Sequence, residues 1–141
     1  MSMNAQVYNQ YKKATVETVS SGKLLLMLYD GTIKNLNSAI NEINEKDYNK
    51  AHNNIIKTQD IIVELMSTLN MDYEISKNLY SLYDFWMSRL IEANVNKDAD
   101  ILAEVAEFFK ELRDTWEEVI KTQSNVPNKN AANSSSLSLK G

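Results

Sequence analysis

The chain of 141 residues has no cysteine, one proline, one histidine and three glycines. Without cysteine there are no disulfides, thiolate metal sites or thiol nucleophiles. With so little glycine and proline, the turn chemistry that a multistranded sheet needs is largely missing. A formal net charge of −4 leaves no electrostatic footprint for nucleic acid. No apolar stretch reaches the 18 residues of a membrane span, and Met1–Lys13 lacks the apolar run of a signal peptide. A cytoplasmic protein with no membrane insertion is therefore expected. No glycine-rich phosphate loop and no nucleophile elbow occurs. A di-iron bundle would need Glu-x-x-His on each of two helices. Position 49 is Asn and His52 has no second histidine to join it. His52 reads as an ordinary helix-surface residue, and no catalytic group, cofactor or metal is expected.

What is present is helical patterning. Hydrophobic residues make up 43% and charged residues 24% of the chain, the balance of a soluble globular protein. The organising stretch is Gly22 to Asn44. It opens with six consecutive large apolar residues, Leu24 to Tyr29, then thins to a stripe of Ile33, Leu36, Ala39, Ile40 and Ile43. Its first half is apolar nearly all round, so something must cover the far side. Ser20 or Ser21 is placed to cap this helix. Asp30-Gly31 resembles a hairpin turn, but apolar spacing of three and four continues beyond it. Gly31 therefore reads as a close-packing point inside a helix.

Three further helices follow. Asp47 is the expected cap of Tyr48–Asn70, whose core stripe is Ala51, Ile55, Ile62, Leu65, Met66 and Leu69. Asp72 or Ser76 is the expected cap of Ser76–Asn94. That helix carries two stripes: Leu79, Tyr83, Trp86, Leu90 and Ala93 on one face, and Tyr80, Met87 and Ile91 about a quarter turn away. Asp98 caps Ala99–Gln123, with Leu102, Val105, Phe109, Leu112, Trp116 and Ile120 facing inward. Its acidic residues, Asp98, Asp100, Glu104, Glu107, Glu111, Asp114, Glu117 and Glu118, read as a solvated face, the alternative being a surface that docks a basic partner. The expected fold is all-α, an antiparallel up-down-up-down four-helix bundle over residues 22–124. A short N-terminal helical segment, residues 1–21, would cap it. The polar tail, residues 125–141, is expected to be disordered.

The apolar content exceeds what a bundle centre holds. The surplus comprises Leu24–Tyr29, then Ile56 and Val63, then Tyr80, Met87 and Ile91, then Ile101 and Phe108. Exposed apolar patches mark interaction sites, and helical grooves receive amphipathic helices. Methionines such as Met27 and Met87 suit such a surface because they adapt to varied shapes.

Several local patterns, taken together, resemble the flagellin export chaperone family FliS. They are Tyr8-x-x-Tyr11, Leu24–Gly31 (LLLMLYDG), Ile75–Leu90 (ISKNLYSLYDFWMSRL) with Glu92-Ala93-Asn94, Leu102–Val105, and Leu112–Trp116 (LRDTW). The order is that of the family across about residues 8–120. Departures fall in loops: Ser21-Gly22 stands where the family often has proline, and Asp72-Tyr73 where it often has a glycine pair. The resemblance implies a cytoplasmic chaperone that wraps the C-terminal segment of flagellin around the bundle. It would prevent premature polymerisation and present its cargo to the flagellar type III export gate. It also implies that the tyrosine segment covers part of the groove until flagellin arrives. Combined with the apolar surplus, it designates Tyr8, Tyr11, Leu24 and Met27 as flagellin contacts. From the later helices it adds Ile56, Val63, Tyr80, Met87, Ile91, Ile101 and Phe108. The competing readings are a bundle enzyme or metal carrier, which lacks ligands, and a helical regulator of an unrelated partner.

Overall fold

The computed structural model describes residues 20–124. The expectations for Tyr8, Tyr11, the cap segment up to residue 19 and the tail from residue 125 lie outside them. Within this range the chain forms four helices and no strand: α1 Ser20–Asn44, α2 Tyr48–Ser67, α3 Glu74–Asn96 and α4 Ala99–Ser124. Each helix packs on the next, and α4 closes back on α1. The directions alternate. His52 of α2 meets Asn94 of α3 while Gln59 meets Met87, and Trp86 of α3 stacks on Phe108 while Arg89 reaches Glu104 of α4. The fold is the expected antiparallel bundle, with α1 diagonal to α3.

The connections are tight because side chains and two left-handed residues close them. After α1, Lys46 turns to φ 63° and the Asp47 amide donates to the Glu42 carbonyl at 2.8 Å. This arrangement recovers a carbonyl that the helix end would leave unpaired. Asp47 then caps α2 as expected, its carboxylate accepting from the Lys50 amide. After α3, Lys97 takes φ 50° and the Asp98 amide donates to the Ala93 carbonyl. Asp98 accepts from the amides of Asp100 and Ile101, capping α4 as expected.

Several boundaries differ from expectation, and α3, for one, runs on to Asn96 where Asn94 was expected. Ser20 and Ser21 are the first two residues of α1 and do not precede it. α2 stops at Ser67, not Asn70: the Thr68 and Leu69 amides donate to the Leu65 and Met66 carbonyls three residues back, tightening the last turn, and the Thr68 hydroxyl also donates to the Leu65 carbonyl at 2.7 Å. Asn70 is then free to accept from the Asp72 amide. α3 starts at Glu74 with Tyr73 at the cap position, where no side chain supplies a capping bond. Neither Asp72 nor Ser76 is the cap, and Ser76 is buried within the helix.

The core is made by the expected stripes. Leu36 and Ala39 of α1, Ile55, Ile62 and Leu65 of α2, Tyr83 and Leu90 of α3, and Leu102, Val105 and Phe109 of α4 are fully or almost fully buried. Small side chains set α1 close to α2. A Cβ on Gly31 would stand 3.3 Å from Ile61 Cδ1, and Ala39, Ala51, Thr32 and Thr58 are all buried. The two threonine hydroxyls donate back to the carbonyls of Leu28 and Asn54, so burial leaves neither unpaired. Across the centre, the hydroxyls of Tyr29 and Tyr83 share a hydrogen bond of 2.7 Å, and both rings lie against Phe109. Burial raises the pKa of both phenols, with Tyr83 pushed up to about 12.

Candidate functional site

α3 is the helix whose flanks are left open. It packs less closely on α2 and α4 than α1 does, and its inward face is built of the bulky Leu79, Tyr83, Trp86 and Leu90. Bulk at the contact sets neighbouring helices further apart. Two apolar rows flank that inward face.

The row toward α2 contains Tyr80, Met87 and Ile91, spaced by seven and four. Gln59 of α2 donates to the Met87 sulfur at 3.5 Å, which fixes this row on the α2 side. Asn94, three residues beyond Ile91, pairs with Nδ1 of His52 at 2.9 Å and closes the end of the seam. On α2, Ile56 and Val63 occupy the same helical row as His52 and Gln59. Val63 is 49% and Ile91 50% exposed, with Ile56 and Tyr80 also exposed and Met87 half-buried. Five of the residues singled out in the sequence thus meet along one seam.

The others separate. Leu24 and Ile101 are buried in the core and present nothing outward. Met27 is exposed on the outer face of α1, diagonal to α3. Phe108 is half-buried on the opposite flank of α3, stacked under Trp86 at 5.0 Å between ring centroids.

That opposite flank holds residues that sequence reasoning missed. Ile75, Leu82 and Phe85 are exposed and follow one row, with Arg89 next in it. Arg89 reaches Glu104 of α4 at 3.0 Å, so the row lies on the α4 side. The bond to Glu104 is the first cause of the raised pKa of this guanidinium. The spacing of 75, 82 and 85 was present in the sequence as a signal, but a charged residue at 89 interrupts it.

Among the described residues, no group of three or more His, Asp or Glu side chains is placed to hold a metal ion. No helix there is long and apolar enough to cross a membrane. The site is an exposed apolar surface along one helix, suited to covering by another protein.

A family model described as "Flagellar protein FliS" matches residues 4–123. The chain belongs to the FliS family of flagellar secretion chaperones. The flagellar secretion chaperone of Bacillus subtilis (strain 168) is 37% identical over 116 residues, covering 82% of this chain and 87% of that protein. The Vibrio cholerae chaperone is 30% identical, covering 77% and 85%. The Campylobacter jejuni chaperone is also 30% identical, covering 82% and 92%. FliS membership accords with the all-helical bundle.

Proposed function

We propose that this chaperone binds the C-terminal segment of flagellin on the α2–α3 seam in the cytoplasm. There it would keep flagellin from polymerising early and hand it to the export gate of the flagellar type III apparatus. The observation that carries this reading is the strip formed by Ile56, Val63, Tyr80, Met87 and Ile91. Leaving a large side chain wholly in water forgoes roughly 1.5–3 kcal/mol of burial; four exposed residues and the half-buried Met87 each give up part of that along one seam, which favours a docked apolar helix. A segment that folds as it binds needs a large apolar contact to offset its ordering. Tyr8 and Tyr11 fit the role of a cover displaced or repositioned on binding.

The test is calorimetry of the full chain with a flagellin C-terminal peptide. Met87→Glu combined with Ile91→Glu should weaken binding by about tenfold or more, because it places charge in a seam that binding dries. The melt should stay cooperative, since Leu79, Tyr83 and Leu90 are untouched. A folded variant that binds like the parent would move the flagellin site off this seam.

A further inference from the structure

The outer face of α4 carries a regular row of carboxylates. Asp100, Glu104, Glu107, Glu111, Asp114 and Glu118 follow one another at alternating steps of four and three, and all six are exposed. Those are the spacings at which helix side chains meet, and like charges there repel. Lys110 and Lys121 stand at neighbouring positions on this face, but few ion pairs form. Among the described residues, ion pairs reach only Glu104, from Arg89, and Asp114, from Arg113 at 3.8 Å. Arg113 turns mainly toward α1, where Asp30 holds it at 2.7 Å. From Glu104 to Glu118 the row runs about 21 Å at the helical rise.

Beside this row lies the second apolar flank of α3, with Ile75, Leu82 and Phe85 exposed and the Trp86–Phe108 stack beneath. Phe85, 53% exposed, stands edge-on to Trp86. The two features lie along one seam, apolar on the α3 side and anionic on the α4 side. We propose that this seam docks an amphipathic helix of a partner protein, one with an apolar stripe flanked on one side by lysine or arginine. The match is in charge as well as shape: the apolar stripe would seat on Leu82 and Phe85 while the cations lie over Glu107, Glu111 and their neighbours. A second copy of this chain, itself of net charge −4, is a poor occupant of an anionic seam. The seam is on the other flank of α3 from the proposed flagellin strip. The residues that carry the two proposals are different, so this inference is tested separately from that one.

The probe is a fluorescein-labelled 18-residue Leu/Lys peptide patterned as an amphipathic helix, titrated by anisotropy into the full-length chain. Its controls are a scrambled peptide of the same composition and a Leu/Glu counterpart. The patterned peptide should bind, the controls should not, and affinity should fall severalfold between low and physiological salt as the charges are screened. Leu82→Ser with Phe85→Ser should weaken it about tenfold or more, as should Glu107→Lys with Glu111→Lys. Met87→Glu with Ile91→Glu should leave it within about twofold. Each variant is first checked by circular dichroism and melting. Failure of the patterned peptide to bind, equal binding by a control, or unchanged binding by the folded Glu107/Glu111 variant overturns the proposal, and so does any of three further results. One is unchanged binding by the folded Leu82/Phe85 variant. Another is a tenfold gain of affinity in Tyr8→Ser/Tyr11→Ser, which would make the N-terminal segment the occupant. The third is loss of flagellin-peptide affinity in the Leu82/Phe85 variant, which would give the seam to flagellin.

Discussion

α1 and α3 stand diagonally across the same bundle and treat their apolar residues in opposite ways. α1 has the more apolar opening, Leu24 to Tyr29, yet of these six only Met27 is exposed. α3 leaves Ile75, Tyr80, Leu82, Phe85, Ile91 and Val95 exposed. The difference comes from what each helix offers its neighbours. Gly31, Thr32 and Ala39 let α2 draw in until the large apolar residues of α1 other than Met27 are covered, whereas Tyr83 and Trp86 hold the neighbours of α3 away. Small residues buried at a helix contact thus protect large ones beside them, and large residues at a contact expose others.

The sharpest way to break this comparison is to cut one apolar side chain from each helix. Leu36→Ala on α1 removes a fully buried side chain and should cost about 2–5 kcal/mol in urea unfolding. Phe85→Ala on α3 removes a side chain that is half in water and should cost under about 1 kcal/mol. Similar losses at both sites would mean that α3 is as enclosed as α1.

A smaller effect is expected where the two helices touch. Tyr29→Phe or Tyr83→Phe alone leaves one buried hydroxyl without its partner, at about 1–3 kcal/mol. The double variant should lose less than the sum of the two, as a double-mutant cycle would reveal. Additive losses would show that the bond at the centre is not shared. Alkali probes the same contact. Burial raises both phenols above their unfolded value of about 10. The native state then keeps protons that the unfolded chain releases, so this stability is complete below about pH 10. It is lost as pH climbs through about 12, the value for Tyr83. The midpoint of the parent should fall more steeply over that interval than that of Tyr29→Phe/Tyr83→Phe.

The smallest effect lies at the helix ends. Lys46 and Lys97 both hold the left-handed conformation that favours glycine. Lys46→Gly should raise stability by about 1 kcal/mol. Lys97→Gly should gain less, because Lys97 Nζ donates to the carbonyl and side chain of Asn94 at 2.7 and 2.8 Å. Equal gains in thermal melts would show those two bonds to be idle.

Periodicity made the four helices and their inward stripes legible, and Asp47 and Asp98 were readable as caps because their place before each stripe left few alternatives. It did not reveal where α2 ends. Leu69 continues the stripe and packs on the core, but Thr68 has already turned its hydroxyl onto the last turn. Nor could it separate covered from uncovered surplus. Leu24 and Ile101 share the apolar character of Val63 and Ile91, and only the spacing between helices decides which of them meets water. The Ile75–Leu82–Phe85 row was hidden for a related reason. One flank of α3 had already accounted for the excess, and helical spacing alone does not say that both flanks are open.

The tyrosine bridge gives α3 a fixed register along the bundle axis. A slide of one helical turn, about 5.4 Å, would carry the Tyr83 hydroxyl well beyond reach of its 2.7 Å partner. α3 is therefore pinned like a bolted slat: it cannot ratchet past its neighbours without giving up the bond at the centre of the bundle.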